Sequence, residues 1–117
     1  MGLFRKRGYT IITGSQFQKM TSDNNIIILD VRSSGEYKTG HIPNAINLPV
    51  DALSSKLSTL NSYKDSEIVV YCASGGRSAR ACDILSKNGF NKVYNLSGGV
   101  SSYNGKLTKG LSIKVCK

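Results

Sequence analysis

The chain has 117 residues, 39% of them hydrophobic and 20% charged, which is enough apolar material for one core and too little length for two. Its 16 basic and 7 acidic residues leave a formal charge of +9, yet the basic residues are scattered from Arg5 to Lys117 without aromatic interleaving. That pattern argues against nucleic-acid binding and suits a small anionic substrate or an acidic protein partner, while apolar runs of strand length, such as Ile26 to Leu29, exclude a membrane span.

Residues 1–8 read as a loose basic arm and 9–117 as a single domain. Tyr9 to Ile12 is a short strand, and Thr13 stands three residues before Gln16 in a capping box that opens a helix through about Ser22, with Phe17 and Met20 facing inward. Ile26 to Val31 is an unbroken aliphatic run of the kind buried on both faces of a sheet, with Asp30 and Arg32 at its C-terminal end. A helical turn through Glu36 and Tyr37 leads to Gly40-His41-Ile42-Pro43, then to a short strand, Ala45 to Leu48, stopped by Pro49. The spacing of Leu53, Leu57 and Leu60 predicts a helix over residues 50–61. Glu67 to Tyr71 is the next buried strand, Ser78 to Asn88 a helix ended by Gly89, and Lys92 to Leu96 a further strand. Gly98-Gly99 and a short helix through Tyr103 follow. The alternation of Leu111, Ile113 and Val115 predicts a terminal edge strand within Leu107 to Lys117.

Strands alternating with helices imply an α/β fold: a central parallel sheet of about five strands, flanked by helices on both faces. In such sheets the ligand crevice lies beyond the C-terminal strand ends, where Cys72, Asp30 and Arg32 all fall. Cys72 opens the loop Cys72-Ala73-Ser74-Gly75-Gly76-Arg77-Ser78. A thiol there faces several backbone N–H groups and the positive end of the following helix, both of which favour the thiolate. Gly75 and Gly76 let the loop curl with its amides inward, and Arg77 adds a permanent cation. A small buried cysteine in a strand-to-helix turn would satisfy the same local pattern by packing alone.

The stretches Ile28-Leu29-Asp30-Val31-Arg32, Glu36-Tyr37, Gly40-His41-Ile42-Pro43-Asn44-Ala45-Ile46-Asn47, the Cys72 loop and Asn95-Leu96-Ser97-Gly98-Gly99 resemble the rhodanese family in order and spacing, over about Tyr9 to Tyr103. The resemblance implies the rhodanese-like α/β fold and a sulfurtransferase whose loop cysteine alternates between thiolate and persulfide. It implies sulfane-sulfur donors such as thiosulfate, with cyanide or thiols as acceptors. On this reading Cys72 is the nucleophile, residues 73 to 78 supply N–H donors aided by the Ser74 and Ser78 hydroxyls, and Arg77 helps hold the donor's sulfonate. No metal or organic cofactor is required. Phosphatases with a cysteine-arginine loop, some of them on the same fold, use C-x5-R; here Cys72 to Arg77 is C-x4-R, a narrower ring that fits sulfur better than a tetrahedral phosphate or arsenate.

Asp30 and Arg32 are expected to form a buried ion pair supporting the loop, and His41 and Glu36 to belong to the polar scaffold. Cys82, ten residues beyond Cys72 on the helix, reads as core packing, and Cys116 as a terminal thiol without a role, the alternative being that it resolves a persulfide by forming a disulfide. Tyr103 stands where many relatives carry Trp. Three cysteines without a secretory signal suggest a reducing, cytoplasmic setting, and the chain is expected to be a monomer or weak dimer. Its partners are then a small anionic sulfur donor and, in an alternative role as a persulfide relay, a sulfur-acceptor protein, with neither nucleic acid nor membrane involved.

Overall fold

The computed structural model describes residues 4–6, 8–22 and 25–110. Among the described residues six strands form one sheet: β1 (Phe4–Lys6), β2 (Tyr9–Ile12), β3 (Ile27–Asp30), β4 (Ile46–Asn47), β5 (Glu67–Tyr71) and β6 (Lys92–Leu96), in the order β1-β2-β6-β5-β3-β4. The last five are mutually parallel, as the alternating pattern implies, and β1 adds an antiparallel edge. That edge corrects the reading of residues 1–8 as a loose arm: Phe4 to Lys6 pairs with Ile11 to Tyr9, and Gly8, at φ +89°, turns the chain between them. Charged residues read locally as a solvated run, but an edge strand tolerates them well.

Four α-helices among the described residues, α1 (Gly14–Thr21), α2 (Ser34–Thr39), α3 (Val50–Leu53) and α4 (Gly76–Lys87), cover both faces. The alternation along β5 decides which side each residue serves. Ile68, Val70 and Cys72 point into the core shared with Leu53 of α3 and Ala81, Cys82 and Leu85 of α4. Val69 and Tyr71 point into the opposite core with Phe17 of α1 and Tyr37 of α2. Thr13 and Gln16 form the capping box of α1, and Ser33 and Glu36 form a second one at α2.

The helix predicted over residues 50–61 is α-helical only through Leu53; a 3-10 segment, Ser54–Tyr63, continues it, with Lys56 out of helical geometry at φ −120°. Ser55 and Thr59 hydroxyls donate to the carbonyls of Ala52 and Lys56, three residues back, and such side-chain bonds compete with the α-helical pattern. Helix α4 begins two residues before the predicted Ser78, at Gly76. A second 3-10 turn, Gly99–Ser102, follows β6. Of the predicted terminal strand, the described part contributes one antiparallel bridge, Thr108 to His41, and residues 111–117 lie outside the described residues. Among the described residues no helix is long and apolar enough to cross a membrane.

Candidate active site

Cys72 follows the last residue of β5 and is buried, its Sγ beneath the first turn of α4. The Gly75 N–H donates to Sγ at 3.0 Å and the Ser78 N–H at 3.3 Å, while the Ser78 hydroxyl lies 3.5 Å from it. Burial by itself pushes the thiol up. The Ser78 hydroxyl, the Ser78 and Gly75 N–H groups and the Ser74 N–H outweigh it, so the thiol titrates below its ordinary range. Ser74 is exposed, and its contribution to the sulfur comes from its backbone N–H. Gly75 takes φ +129°, which a side chain would resist, whereas Gly76 sits in the helix with nothing within 4 Å of where a Cβ would stand. The conformational demand that the sequence assigned to both glycines therefore falls on Gly75 alone.

Ser78 is fully buried, and its hydroxyl proton has two close acceptors, Asn95 Oδ1 at 2.6 Å and the Gly75 carbonyl at 3.1 Å. Asn95 lies on the α4 face of β6; the sequence marks it only as the start of the Asn95 to Gly99 stretch and gives it no role at the thiol. A polar side chain at an inward position of a strand, just before the Gly98-Gly99 turn, was the available signal. Replacing Ser78 by Ala removes the hydroxyl 3.5 Å from Sγ, whose net effect favours the thiolate, so the titration of Cys72 shifts upward. The expected result is a rise of about one pH unit in the midpoint of Cys72 alkylation by iodoacetamide, with slower modification below it. An unmoved midpoint would mean that backbone N–H groups alone hold the charge.

The Gly98-Gly99 turn closes the other side of the loop. Val100 N–H donates to the Cys72 carbonyl at 2.9 Å, and the Ser101 hydroxyl to the Ala73 carbonyl at 3.3 Å. Gly98 and Gly99 have φ of +80° and +59°.

Arg77 turns toward the start of α2. Its guanidinium fork grips the Glu36 carboxylate, Nη1 to Oε1 at 2.7 Å and Nη2 to Oε2 at 3.0 Å, so in this state that fork is filled rather than open to a donor's sulfonate. Arg77 holds the Glu36 carboxyl down at about 2, helped by the Ser33 N–H. Glu36 is thus both the capping residue of α2 and the partner of the loop arginine.

Asp30 and Arg32 form a buried pair at 2.7 Å, and Arg32 Nη2 also donates to the Gly40 carbonyl at 2.7 Å. The Tyr71 hydroxyl donates to Asp30 Oδ2 at 2.7 Å and accepts from the Ile42 N–H at 3.0 Å. Burial, with the Asp30 charge, pushes the Tyr71 phenol up, so it stays a donor at all ordinary pH. Asn47 Nδ2 caps the carbonyls of Asp30 and Arg32 at 3.0 Å each. This network joins the ends of β3 and β5 to the 40–47 segment and does not touch Sγ. His41 stacks on the Tyr37 ring at 3.6 Å with Nδ1 2.8 Å from the Tyr37 carbonyl, and is fixed by its backbone bridge to Thr108. Tyr103 meets Phe17 edge-on at 6.2 Å, a packing contact on the α1 face. Cys82 is fully buried, and burial followed by the nearby Cys72 charge pushes its thiol up, the condition of an inert packing residue. Cys116 lies outside the described residues.

Comparison with known proteins fits this geometry. The tRNA uridine(34) hydroxylase of Cronobacter sakazakii is 32% identical over 108 residues, which cover 88% of this chain and 31% of that protein. The chain thus spans about a third of the length of the curated relatives it matches. Among solved structures, a rhodanese-like domain protein from Staphylococcus aureus superposes with a TM-score of 0.76 at 30% identity, covering 85% of this chain and 96% of that one. A rhodanese-related protein from Thermoplasma volcanium gives 0.71 at 34%, covering 79% and 87%. The sequence model of the rhodanese-like domain matches residues 13–106, from the cap of α1 past the turn that clamps the Cys72 loop. With fold, loop and clamp all inside that match, the chain belongs to the rhodanese-like domain family.

Proposed function

We propose that the protein is a sulfurtransferase in which Cys72 carries sulfane sulfur as a persulfide. The observation that supports this most directly is a buried sulfur held by N–H donors at 3.0 and 3.3 Å at the C-terminal end of a central parallel strand. Such a ring stabilises one negative charge on sulfur, whether on the thiolate or on the outer atom of a persulfide. With thiosulfate, the Cys72 thiolate attacks the outer sulfur, the donor's S–S bond breaks, and sulfite leaves with the electron pair. Cys72–S–S⁻ remains. Cyanide then attacks the outer sulfur, thiocyanate departs, and the thiolate is restored, so both half-reactions balance without an external redox partner.

Intact-protein mass spectrometry of wild type and Cys72→Ala, after thiosulfate and then cyanide, tests the reading. One added sulfur on wild type only, removed by cyanide with release of thiocyanate, is the expected outcome. An adduct that persists in Cys72→Ala would move the chemistry to another thiol, and no adduct on wild type would remove thiosulfate as the donor, a persulfide donor then deciding the sulfurtransferase assignment.

The relatives named tRNA uridine(34) hydroxylase favour a second reading, in which the domain serves tRNA modification within a larger assembly. Modified uridine 34 in tRNA incubated with the chain would support it. Unmodified tRNA beside a sulfur-loaded Cys72 would favour simple sulfur transfer or relay to an acceptor protein.

A further inference from the structure

The Cys72 loop contains one permanent cation, Arg77, and its charge is already answered. Glu36 meets the guanidinium with both carboxylate oxygens, at 2.7 and 3.0 Å, and is itself fixed from behind. The Ser33 N–H donates to Glu36 Oε1 at 3.0 Å and the Ser33 hydroxyl at 3.1 Å, while the Glu36 N–H returns a bond to that hydroxyl at 3.2 Å. The carboxylate is therefore placed by the start of α2 whether or not Arg77 is there. A tetrahedral sulfonate carrying two charges seeks a free guanidinium fork. What the loop offers instead is a set of backbone N–H groups aimed at a single sulfur atom.

We infer that Glu36 sets the donor preference of the Cys72 site. By filling the Arg77 fork it disfavours dianionic thiosulfate and favours donors that carry at most one negative charge, the persulfides of thiols. In that reaction the Cys72 thiolate attacks the outer sulfur of the protonated persulfide RS–SH. The donor's S–S bond breaks, RS⁻ leaves with the electron pair, and Cys72–S–SH forms. The inference rests on the sulfurtransferase reading and narrows its substrate class.

The test compares second-order rate constants for sulfur loading of Cys72, followed by intact mass, with thiosulfate and with 2-hydroxyethyl persulfide. The proteins are wild type, Glu36→Gln and Glu36→Gln/Arg77→Gln. Glutamine at this position keeps the capping box, so α2 still starts at Ser34 and the variant folds. The expected result is a rise of about fivefold in the thiosulfate-to-persulfide rate ratio for Glu36→Gln, the scale of one partly exposed ion pair, lost again in the double variant. A ratio that stays put, even if both rates fall together, would make Glu36 a merely structural residue and overturn the inference. A ratio that remains raised in the double variant would also overturn it, because the effect would not run through Arg77. Wild type that takes sulfur from neither donor would instead defeat the sulfurtransferase reading itself, an outcome distinct from a flat ratio on a protein that loads.

Discussion

Gly99→Ala is expected to destabilise the protein by about 2–4 kcal/mol and to slow alkylation of Cys72 by about tenfold or more. A Cβ at this position would overlap the Cys72 carbonyl oxygen and stand 2.8 Å from the carbonyl carbon and oxygen of Ala73, all backbone atoms that cannot rotate away. The residue also has φ +59°, a region in which an L side chain adds a further penalty of about 1–2 kcal/mol. Relief requires the Gly99–Ser102 turn and the start of the Cys72 loop to move apart, breaking the Val100 to Cys72 bond and tilting the N–H groups away from Sγ. Urea denaturation and iodoacetamide kinetics report the two effects separately. Gly76→Ala supplies the contrast in stability: its Cβ meets nothing within 4 Å, so a change below about 1 kcal/mol is expected. Equal losses at the two positions would show that contact with the Cys72–Ala73 peptide is not what Gly99 is for.

Asp30→Asn is expected to lower stability by about 3–5 kcal/mol, measured as the shift in urea midpoint at constant slope. The substitution preserves shape and leaves the Arg32 guanidinium buried with no countercharge. Arg32 is 6% exposed and Asp30 fully enclosed, so water does not make up the loss. Burial disfavours the charged guanidinium, and the Asp30 hydrogen bond and charge more than offset this and keep it protonated. Since small domains hold only about 5–15 kcal/mol in total, the variant approaches the limit of folding. A loss under about 1 kcal/mol would show that the carbonyl of Gly40 and the ring of Tyr71, 5.5 Å from the Arg32 Cζ, are sufficient company for the charge.

The parts of the molecule legible in the sequence were those encoded by neighbours along the chain. Thr13 and Gln16 announced α1, the aliphatic runs before Asp30 and Cys72 announced central strands, and the Cys72 loop carried its own signature. What escaped depends on partners far away in sequence. The strand at Phe4 to Lys6 exists because Tyr9 to Ile12 offers it an open edge, and a local view of that segment sees only charge. The Arg77 to Glu36 pair spans 41 residues and depends on α2 and α4 both starting at the C-terminal edge of the sheet. Asn95 looked like one more strand residue until pairing of β5 and β6 put it beneath Ser78. The kink at Lys56 lies between the Ser55 and Thr59 hydroxyls, each bonded to a carbonyl three residues back, contacts that apolar spacing does not register.

Among the described residues the sheet's two margins are very short, three residues in β1 and two in β4. A strand laid against either by another molecule could zip up only a few rungs before running out of ladder, and Pro49 stands two residues past β4 with no N–H to offer. Fibril-like growth by edge addition is thereby denied a template, although the middle of the sheet is built from the kind of aliphatic run that such growth prefers. The protein can keep a strongly apolar centre because its borders are nearly blank.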